Sequence, residues 1–451
     1  MIADLATLHA VESELDSRWG ETRLAPSLDR IADLVDLLAE PHRAYPVLHV
    51  AGTNGKTSTT RLVDALLTRI GLRTGRYTSP HLQLVTERIA LDNVPISPDR
   101  YVEVYRDIAP YVSMVDAASD VPMSKFEVLT AMAFAAFADA PVDVAVLETG
   151  MGGRWDATNV ADGRIAVITP IGIDHVDYLG TELDSIAGEK AGIIKPESVA
   201  VLGEQHPDAL RVLLAHAVEV DATVARQGQE FGVVQRTVAV GGQMLTLQGL
   251  GGLYTDIFLP LHGEHQARNA SLALAAVEAF FGAGVDRQLD QVAVREAFAS
   301  VVVPGRLERL RSSPTVFVDA AHNPHGAAAL AEALDSEFGF RRLVGVVGVL
   351  EDKDVTGILA ALEPVLSEIV VTRNASPRAL PADELGALAR EVFGDDRVLV
   401  EPRLDDAIES AVRLAEEIRQ GDGSISGGGV VATGSVVTAG EVRALFGKEP
   451  V

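Results

Sequence analysis

The chain has 451 residues, 47% of them hydrophobic, and 38 basic against 64 acidic residues give it a formal net charge of −26. A chain of this length is too long to fold around a single hydrophobic core, so we predict two or three packed domains. The negative charge disfavours nucleic acids and anionic membranes as partners. The sequence contains no cysteine, which excludes disulfides and thiolate metal sites. We recognise neither a signal peptide nor an apolar run of the about 20 residues that span a bilayer, so we expect a cytoplasmic protein.

The first predicted unit is a strand, a glycine-rich loop and a helix. It occupies residues 45–71, "YPVLHVAGTNGKTSTTRLVDALLTRIG", with Gly71 as the helix stop. Two further apolar runs follow, "DVAVLETGMGG" and "GRIAVITPIGIDH". Continuous apolar strands that alternate with helices predict a mainly parallel sheet covered by helices on both faces.

The pattern then changes twice. Residues 231–265 carry short alternating runs and many glycines, which predicts a small antiparallel side sheet. From "PTVFVDAAHNPHGAAALAEAL" onward, strands alternate with helices again and predict a smaller, Rossmann-like α/β domain. We place the boundary between domains 1–302 and 303–451, with Pro304 and Gly305 as hinge residues.

The loop "GTNGKT" offers successive backbone N–H groups before a helix, a typical anion-binding arrangement. Lys56 can reach the outer phosphates of a nucleotide, and the Thr57 hydroxyl can ligate Mg²⁺. Val50 stands where the general phosphate-loop pattern has its first glycine, and an ordinary turn is the alternative. The loop alone does not distinguish a kinase, a GTPase and a ligase. The predicted nucleotide-binding residues here are Thr53, Asn54, Gly55, Lys56, Thr57 and Ser58.

Three side chains near strand ends are candidate metal ligands. Ser79, in "YTSPHL", is a hard oxygen ligand, although Ser-Pro is also a plain turn signal. Glu148 ends an apolar strand, where a carboxylate needs a partner; Mg²⁺ or a salt bridge would supply one. His175 follows the next strand at the same edge, as a ligand or as a structural histidine.

Further candidates lie downstream, each with a structural alternative. Lys190 in "EKAGIIK" fits a solvated lysine, and Asn269 near a helix start fits a cap. Asp319 ends a strand of the second domain, and His322 lies in the loop after it, where such sheets bind ligands. Arg306, at the hinge, has a fork-shaped group suited to phosphate or to a surface salt bridge.

The order of these motifs resembles the folylpolyglutamate synthases, including the bifunctional bacterial dihydrofolate synthases, within the Mur ligase superfamily. The segments that carry the resemblance are "GTNGKTS", "YTSPHL", "ETGMGGRWDATN", "DHVDYLG", "EKAGIIK", "HGEHQARNA", "PGRLE" and "DAAHNPHG". It extends from about residue 27 to residue 438. That superfamily uses a phosphate loop without the first glycine, so Val50 is expected there.

The resemblance implies ATP and Mg²⁺, and allows a monovalent cation such as K⁺. It implies nucleotide contacts for Gln266, Asn269, Arg306 and Asp319, catalytic roles for Lys56, Lys190 and His322, and Mg²⁺ ligation by Ser79, Glu148 and His175. Lys190 matches a lysine that is carbamylated in the family. Phe126, Asp156 and Ala157 match the pterin-binding region, and the Phe126 ring can pack on a flat pterin.

The implied reaction is ATP-dependent amide formation: L-glutamate is joined to dihydropteroate, to a folate, or to both, through an acyl phosphate. One alternative is a Mur-type ligase that extends a UDP-linked peptidoglycan precursor, which "YTSPHL" and "GGRWDATN" disfavour. Another is a nucleotide-binding regulator without chemistry, which the strand-end acids and the second α/β domain disfavour. We expect small-molecule substrates, no nucleic acid, no membrane, and a monomer.

Overall fold

The computed structural model describes residues 5–19, 27–174, 176–180, 182–282, 284, 287–417 and 427–451. The α-helices are α1 Leu5–Asp16, α2 Asp29–Leu37, α3 Lys56–Ile70, α4 Pro98–Ala118, α5 Lys125–Asp139, α6 Val176–Leu179, α7 Leu183–Ala191, α8 Pro207–Glu219, α9 Glu264–Phe280, α10 Gln291–Ser300, α11 Pro324–Glu337, α12 Val355–Leu362, α13 Ala382–Phe393, α14 Leu404–Glu416 and α15 Val436–Leu445. Short 3₁₀ turns cover Pro41–Arg43, Val85–Arg88, Ala157–Val160 and Asp395–Arg397.

The strands form three sheets. Their bounds are β1 Val47–Ala51, β2 Thr74–Tyr77, β3 Ile89–Leu91, β4 Val94–Pro95, β5 Val144–Glu148, β6 Gly163–Ile168, β7 Val199–Leu202, β8 Thr223–Arg226, β9 Gly232–Ala239, β10 Gly242–Gln248, β11 Leu253–Leu259, β12 Glu308–Ser312, β13 Thr315–Val318, β14 Arg342–Val347, β15 Glu368–Val371, β16 Val398–Val400 and β17 Gly428–Thr433. The strand orders are β4-β3-β2-β5-β1-β6-β7-β8, β11-β10-β9 and β12-β13-β17-β14-β15-β16.

The predicted fold class is confirmed. Strands β2, β5, β1, β6, β7 and β8 run parallel, with β3 and β4 as an antiparallel edge. Strands β9 to β11 form the expected antiparallel side sheet. In the last sheet only β12 pairs antiparallel, and the other strands are parallel. We call residues 1–302 the first domain and the rest the second domain; that boundary stays a prediction.

Helices cover both faces of the first sheet because its central strands are apolar on both sides. Ala145 and Leu147 of β5 pack into a core cluster with α1, α2, α4 and α5. Val144 and Val146 face the opposite cluster, with α3, α9, α10 and the side sheet. Such strands cannot face water on either side, which fixes them in the centre of the sheet.

The second sheet follows the same plan. Phe317 packs with α11, α12 and α13 on one face, whereas Val316 and Val318 pack with α14 and α15 on the other. Both sheets therefore present the carboxyl ends of parallel strands, where α/β folds bind ligands. Within the described residues, no helix is long and apolar enough to cross a bilayer.

Candidate functional site

A cleft of about 1930 Å³ is lined by residues from the strand ends of both domains. The described candidates that line it include Lys56, Ser79, Glu148, Gln266, Asn269, Arg306, Asp319, His322, Phe126, Asp156 and Ala157. The structure thus brings together most of the sequence-predicted site at one place, from residues up to about 270 positions apart.

The phosphate loop connects β1 to α3 and begins after the strand. Val50 lies within β1, fully buried and in register with Glu148 of β5, so it belongs to the core and not to the loop. Gly52 and Gly55 both have positive φ, 147° and 86°. A Cβ at Gly52 would lie 1.8 Å from Thr169 Oγ1, so only glycine fits there.

Two lysines converge on one backbone carbonyl of this loop. Lys56 Nζ donates to Gly52 O at 3.2 Å and to Thr53 O at 3.2 Å, and Lys190 Nζ donates to Gly52 O at 2.8 Å. Burial, and secondly the nearby Lys56 ammonium, lower the pKa of Lys190 to about 7. The solvated-lysine interpretation of Lys190 is therefore wrong, because its side chain is buried at the phosphate loop.

Glu148 lies beside the helix start with one oxygen unused. Its Oε1 accepts a hydrogen bond from Thr57 Oγ1 at 2.8 Å, and the Ser79 backbone N–H also reaches this carboxyl. Its buried Oε2 has no hydrogen-bond partner among the described residues. Burial raises the pKa of Glu148 to about 7, against the opposing effect of Lys56. A carboxylate with one unpaired oxygen, beside the Thr57 hydroxyl group and the backbone of Ser79, offers hard oxygen ligands that suit Mg²⁺.

His175 lies outside the described residues, so its predicted metal role stays a prediction. In the described part of the chain, no three His, Asp or Glu side chains converge as a metal-binding group. A cation at Glu148 would therefore depend on hydroxyl, phosphate and water oxygens for its other ligands.

Asp156 organises the turn that follows β5. Its Oδ2 accepts from the backbone N–H groups of Gly150 and Met151 at 2.8 and 3.0 Å, and its Oδ1 accepts from Thr158 N at 3.0 Å. The Phe126 ring faces the same turn, since a Cβ on Gly150 would lie 2.7 Å from it. Phe126 and Asp156 therefore build one end of the cleft, next to Ala157.

Gln266 and Asn269 lie in the first turns of α9, against the phosphate loop. Gln266 Nε2 donates to Ser58 Oγ at 3.3 Å, and Asn269 Nδ2 donates to Gln266 Oε1 at 3.2 Å. A Cβ on Gly55 would lie 2.7 Å from Asn269 Oδ1. No side-chain cap bond is formed at this helix start, where Gly263 is the N-cap residue, so the capping interpretation of Asn269 is wrong.

In the second domain, Asp319 and Arg306 lie close to each other. Asp319 Oδ2 accepts from Leu307 N and its Oδ1 from Ala321 N, both at 2.8 Å. Burial raises the pKa of Asp319 and the Arg306 guanidinium opposes that rise. Arg306 donates to Gly305 O at 3.0 Å and forms no ion pair within 4 Å among the described contacts, so the surface salt-bridge interpretation is not supported.

The two domains also meet directly across the cleft, through contacts that the sequence analysis did not predict. Asn54 Nδ2 donates to Asn323 Oδ1 at 3.2 Å, and Asn323 Nδ2 donates back to Asn54 Oδ1 at 3.0 Å. Asp174 accepts from Asn323 at 3.0 Å and from Lys353 Nζ at 3.2 Å. His322 Nε2 lies 3.9 Å from the same carboxylate, and burial lowers the pKa of His322.

Asp174 and Lys353 were missed because their partners lie about 150 to 180 positions away in sequence. The sequence offered only one indication of their role, which is that each follows a strand. Asp174 follows β6 and Lys353 follows β14, and both strands end at the cleft.

Comparisons with known proteins agree with this geometry. The Mur ligase middle domain family matches residues 50–277, and the Mur ligase glutamate ligase domain family matches residues 305–426. The dihydrofolate synthase/folylpolyglutamate synthase of Mycobacterium tuberculosis is 60% identical over 465 aligned positions, which cover 99% of this chain and 95% of the relative.

Solved structures give the same result. Mycobacterium tuberculosis folylpolyglutamate synthase complexed with ADP superposes with a TM-score of 0.95 at 60% identity, covering 99% of this chain and 100% of that one. Escherichia coli FolC in complex with DHPP and ADP gives a TM-score of 0.83 at 30% identity, covering 98% and 97%. The similarity therefore extends over both domains and the cleft between them.

Proposed function

The chain belongs to the dihydrofolate synthase/folylpolyglutamate synthase family of Mur ligases, and from this premise we propose how its cleft carries out the reaction. The protein is an ATP-dependent ligase that joins L-glutamate to dihydropteroate, to folates, or to both, through an acyl phosphate. The proposals concern which residues act. Its location in the cytoplasm and its monomeric state stay predictions from the sequence.

ATP binds with its phosphates on the loop of residues 52–57. The support is the glycine backbone at the start of α3, together with a relative of 60% identity that was solved with ADP. Lys56 exchanges its two backbone carbonyl acceptors for the outer phosphates. Gln266 and Asn269 hold the loop from the α9 side, and Arg306 contacts the nucleotide from the second domain. Asp319 lies beside Arg306 and holds the backbone of Leu307 and Ala321, and its own nucleotide contact stays a prediction.

Glu148, Ser79 and Thr57 hold Mg²⁺, with His175 as a further ligand. The unused, buried Oε2 of Glu148 supports this assignment, because a lone buried carboxylate oxygen is unfavourable without a partner. When bound, Mg²⁺ neutralises charge on the transferred phosphoryl group. Any requirement for K⁺ stays a prediction.

Lys190 is carbamylated in the working enzyme. A pKa of about 7 leaves much of its amine neutral at physiological pH, and the neutral amine is the form that adds to CO₂. The product is a carbamate, and one proton leaves to solvent. This modification replaces the Lys190 ammonium group by an anion, while Lys56 keeps its charge, so an attraction takes the place of the repulsion between the two lysines.

The substrate acid lies along the turn after β5, with its pterin ring on Phe126 and between Asp156 and Ala157. The γ-phosphoryl group passes to the substrate carboxylate, and the L-glutamate amine then displaces phosphate. Positioning and charge neutralisation are the main catalytic tasks, supplied by Lys56, Arg306 and His322. Closure of the second domain excludes water from the acyl phosphate.

One observation carries this proposal: Lys56, Lys190 and Glu148 converge at a phosphate loop in a chain of this family. The test is ADP release in a coupled assay with dihydropteroate or tetrahydrofolate, with and without L-glutamate. We expect release that requires both the pterin acid and glutamate. Release supported by a UDP-linked precursor, or release without any acceptor, would reject the proposed function. The dihydrofolate synthase/folylpolyglutamate synthase of Mycobacterium tuberculosis, which covers 99% of this chain, favours the folate substrate over that precursor.

A further inference from the structure

The loop between β2 and β3, residues 78–88, belongs to the first domain but its tip is seated in the second. Leu82 packs against the second-domain core cluster that includes Val318, Ala439 and Val442. A Cβ on Gly440 of α15 would lie 1.9 Å from Leu82 O, so helix and loop backbones are in direct contact. This contact permits only glycine at position 440.

A buried arginine locks the neighbouring residue of the tip. Arg443 of α15 donates to Gln83 Oε1, to Glu308 Oε2 at 2.8 Å and to Glu449 O at 3.2 Å. Gln83 Nε2 in turn donates to Lys448 O at 2.9 Å. The side-chain amide of Gln83 is thus held at both ends by the second domain.

Hydrogen bonds hold the rest of the loop rigid, so a displacement of its tip also moves Ser79 at its base. The buried carboxylate of Glu87 accepts hydrogen bonds from Leu82 N at 2.9 Å, from Gln83 N at 3.1 Å and from Leu84 N at 3.0 Å. Thr78 N donates to Arg88 O at 2.9 Å and closes the loop at its base. Ser79, three residues from Leu82, lies at the Glu148 carboxyl.

The hinge meets the loop at the same place. A Cβ on Gly305 would lie 3.3 Å from Leu82 Cδ2, and Gly305 N donates to Glu308 Oε2 at 2.9 Å. Glu308 therefore links the hinge to Arg443. Rotation of the second domain about this hinge necessarily moves the surface on which Leu82 and Gln83 rest.

We propose that Leu82 and Gln83 make the position of Ser79 depend on the docking of the second domain, so that the Mg²⁺ site of the first domain is complete only when the glutamate ligase domain is seated. Leu82, Gln83, Gly440 and Arg443 are positioning residues and touch no substrate. This inference rests on the proposed function, because it takes Ser79 and Glu148 as metal ligands. The competing hypothesis is that these contacts only pack the two domains together and do not change the affinity for the metal.

The test measures metal binding directly. Mn²⁺, a paramagnetic substitute for Mg²⁺, is titrated into the ADP-bound protein and followed by electron paramagnetic resonance. Gly440→Ala should weaken Mn²⁺ binding about tenfold, in the range of ordinary coupling between sites. Gln83→Ala, which removes the amide contacts without a clash, should weaken it about threefold.

Gly339→Ala is the matched control, because a Cβ there meets no atom within 4 Å and its backbone is not in the left-handed region. ADP binding without metal, measured by calorimetry, should stay within about twofold of the wild type in all three variants. Mn²⁺ affinity equal to wild type in Gly440→Ala and Gln83→Ala overturns the inference, as does an equal loss of metal-free ADP binding. Wild-type protein that binds Mn²⁺ and ADP but releases no ADP in response to glutamate would instead reject the proposed function.

Discussion

Buried ionisable side chains at the strand ends fall into two groups that differ in their hydrogen bonds. In Asp156 and in Asp319, both carboxylate oxygens accept hydrogen bonds from backbone N–H groups. Glu148 has one oxygen without a partner in the described part of the chain, and Lys190 donates to the backbone carbonyl of Gly52. All four are buried.

This difference separates scaffold from binding groups. A satisfied carboxylate has little left to offer a ligand, and its removal frees backbone donors inside the protein. An unsatisfied buried charge is unfavourable until a ligand arrives, so it marks where one binds. The comparison predicts large catalytic effects at Lys190 and Glu148 and mainly structural effects at Asp156 and Asp319.

The largest effect is expected for Lys190→Met. Loss of the charged group at the phosphate loop should lower glutamate-dependent ADP release about 1000-fold, because positioned charge dominates such reactions. Circular dichroism should show an unchanged fold. Lys195→Met is the control, since Lys195 donates to Asn159 O and Lys190 donates to Gly52 O of the phosphate loop. Near-normal turnover in Lys190→Met would show that Lys190, like Asp156 and Asp319, has mainly a structural role.

Glu148→Gln should lower Mg²⁺-dependent ADP release about 100-fold, because a neutral amide is a poor ligand for Mg²⁺. Its folded-state pKa, about 7, lies above the ordinary 4.5. The wild type therefore loses stability as pH rises from 4.5 to about 7 without metal.

Thermal unfolding without metal should accordingly show Glu148→Gln to be more stable than wild type at about pH 8, by roughly 1 to 3 kcal/mol, and not at about pH 4. Equal stability at both pH values would show that the ionised carboxylate is satisfied in the folded protein. Glu148 would then be a poor example of an unsatisfied group.

Asp319→Asn should act mainly on stability. Two backbone N–H groups lose a charged acceptor, which should lower the free energy of unfolding by about 1 to 3 kcal/mol in urea denaturation. Asp335→Asn, at an exposed position of α11, should be neutral. A large loss of ADP affinity with unchanged stability would favour instead the predicted nucleotide contact of Asp319.

The smallest effect is expected for Asn54→Ala, which breaks the amide pair with Asn323 but keeps the loop backbone. We expect KM for ATP to rise about threefold to tenfold with kcat less affected, since the pair holds the two domains in register. A double-mutant cycle with Asn323→Ala should show non-additive losses. Additive losses would show that the two amides act separately.

The sequence predicted the fold class because both periodicity and loop chemistry are local. The continuous apolar runs of β1, β5 and β6 indicated a parallel sheet, and the glycines of residues 231–265 indicated the side sheet. The phosphate loop was recognisable since its glycines and lysine lie within a few positions. Such features need no knowledge of tertiary contacts.

Contacts between distant segments were not predictable in this way. The Asn54–Asn323 pair, the Asp174–Lys353 pair and the seating of Leu82 depend on how two sheets face each other. Nor did the sequence show that both oxygens of Asp156 are paired whereas one oxygen of Glu148 is not, because the partners of Asp156 are backbone N–H groups set by the folded turn. Only their hydrogen bonds separate them.

The carbonyl of Gly52 has a consequence for which anions the loop admits. This carbonyl accepts hydrogen bonds from both Lys56 and Lys190, and Lys56 also donates to Thr53 O. The two lysines therefore use backbone carbonyls of the loop itself as hydrogen-bond acceptors. A phosphate that binds here exchanges the hydrogen bonds of Lys56 to these carbonyls for its own, and a longer polyphosphate reaches more backbone N–H groups at the start of α3. We therefore expect the loop to bind a long polyphosphate more tightly than a single phosphate.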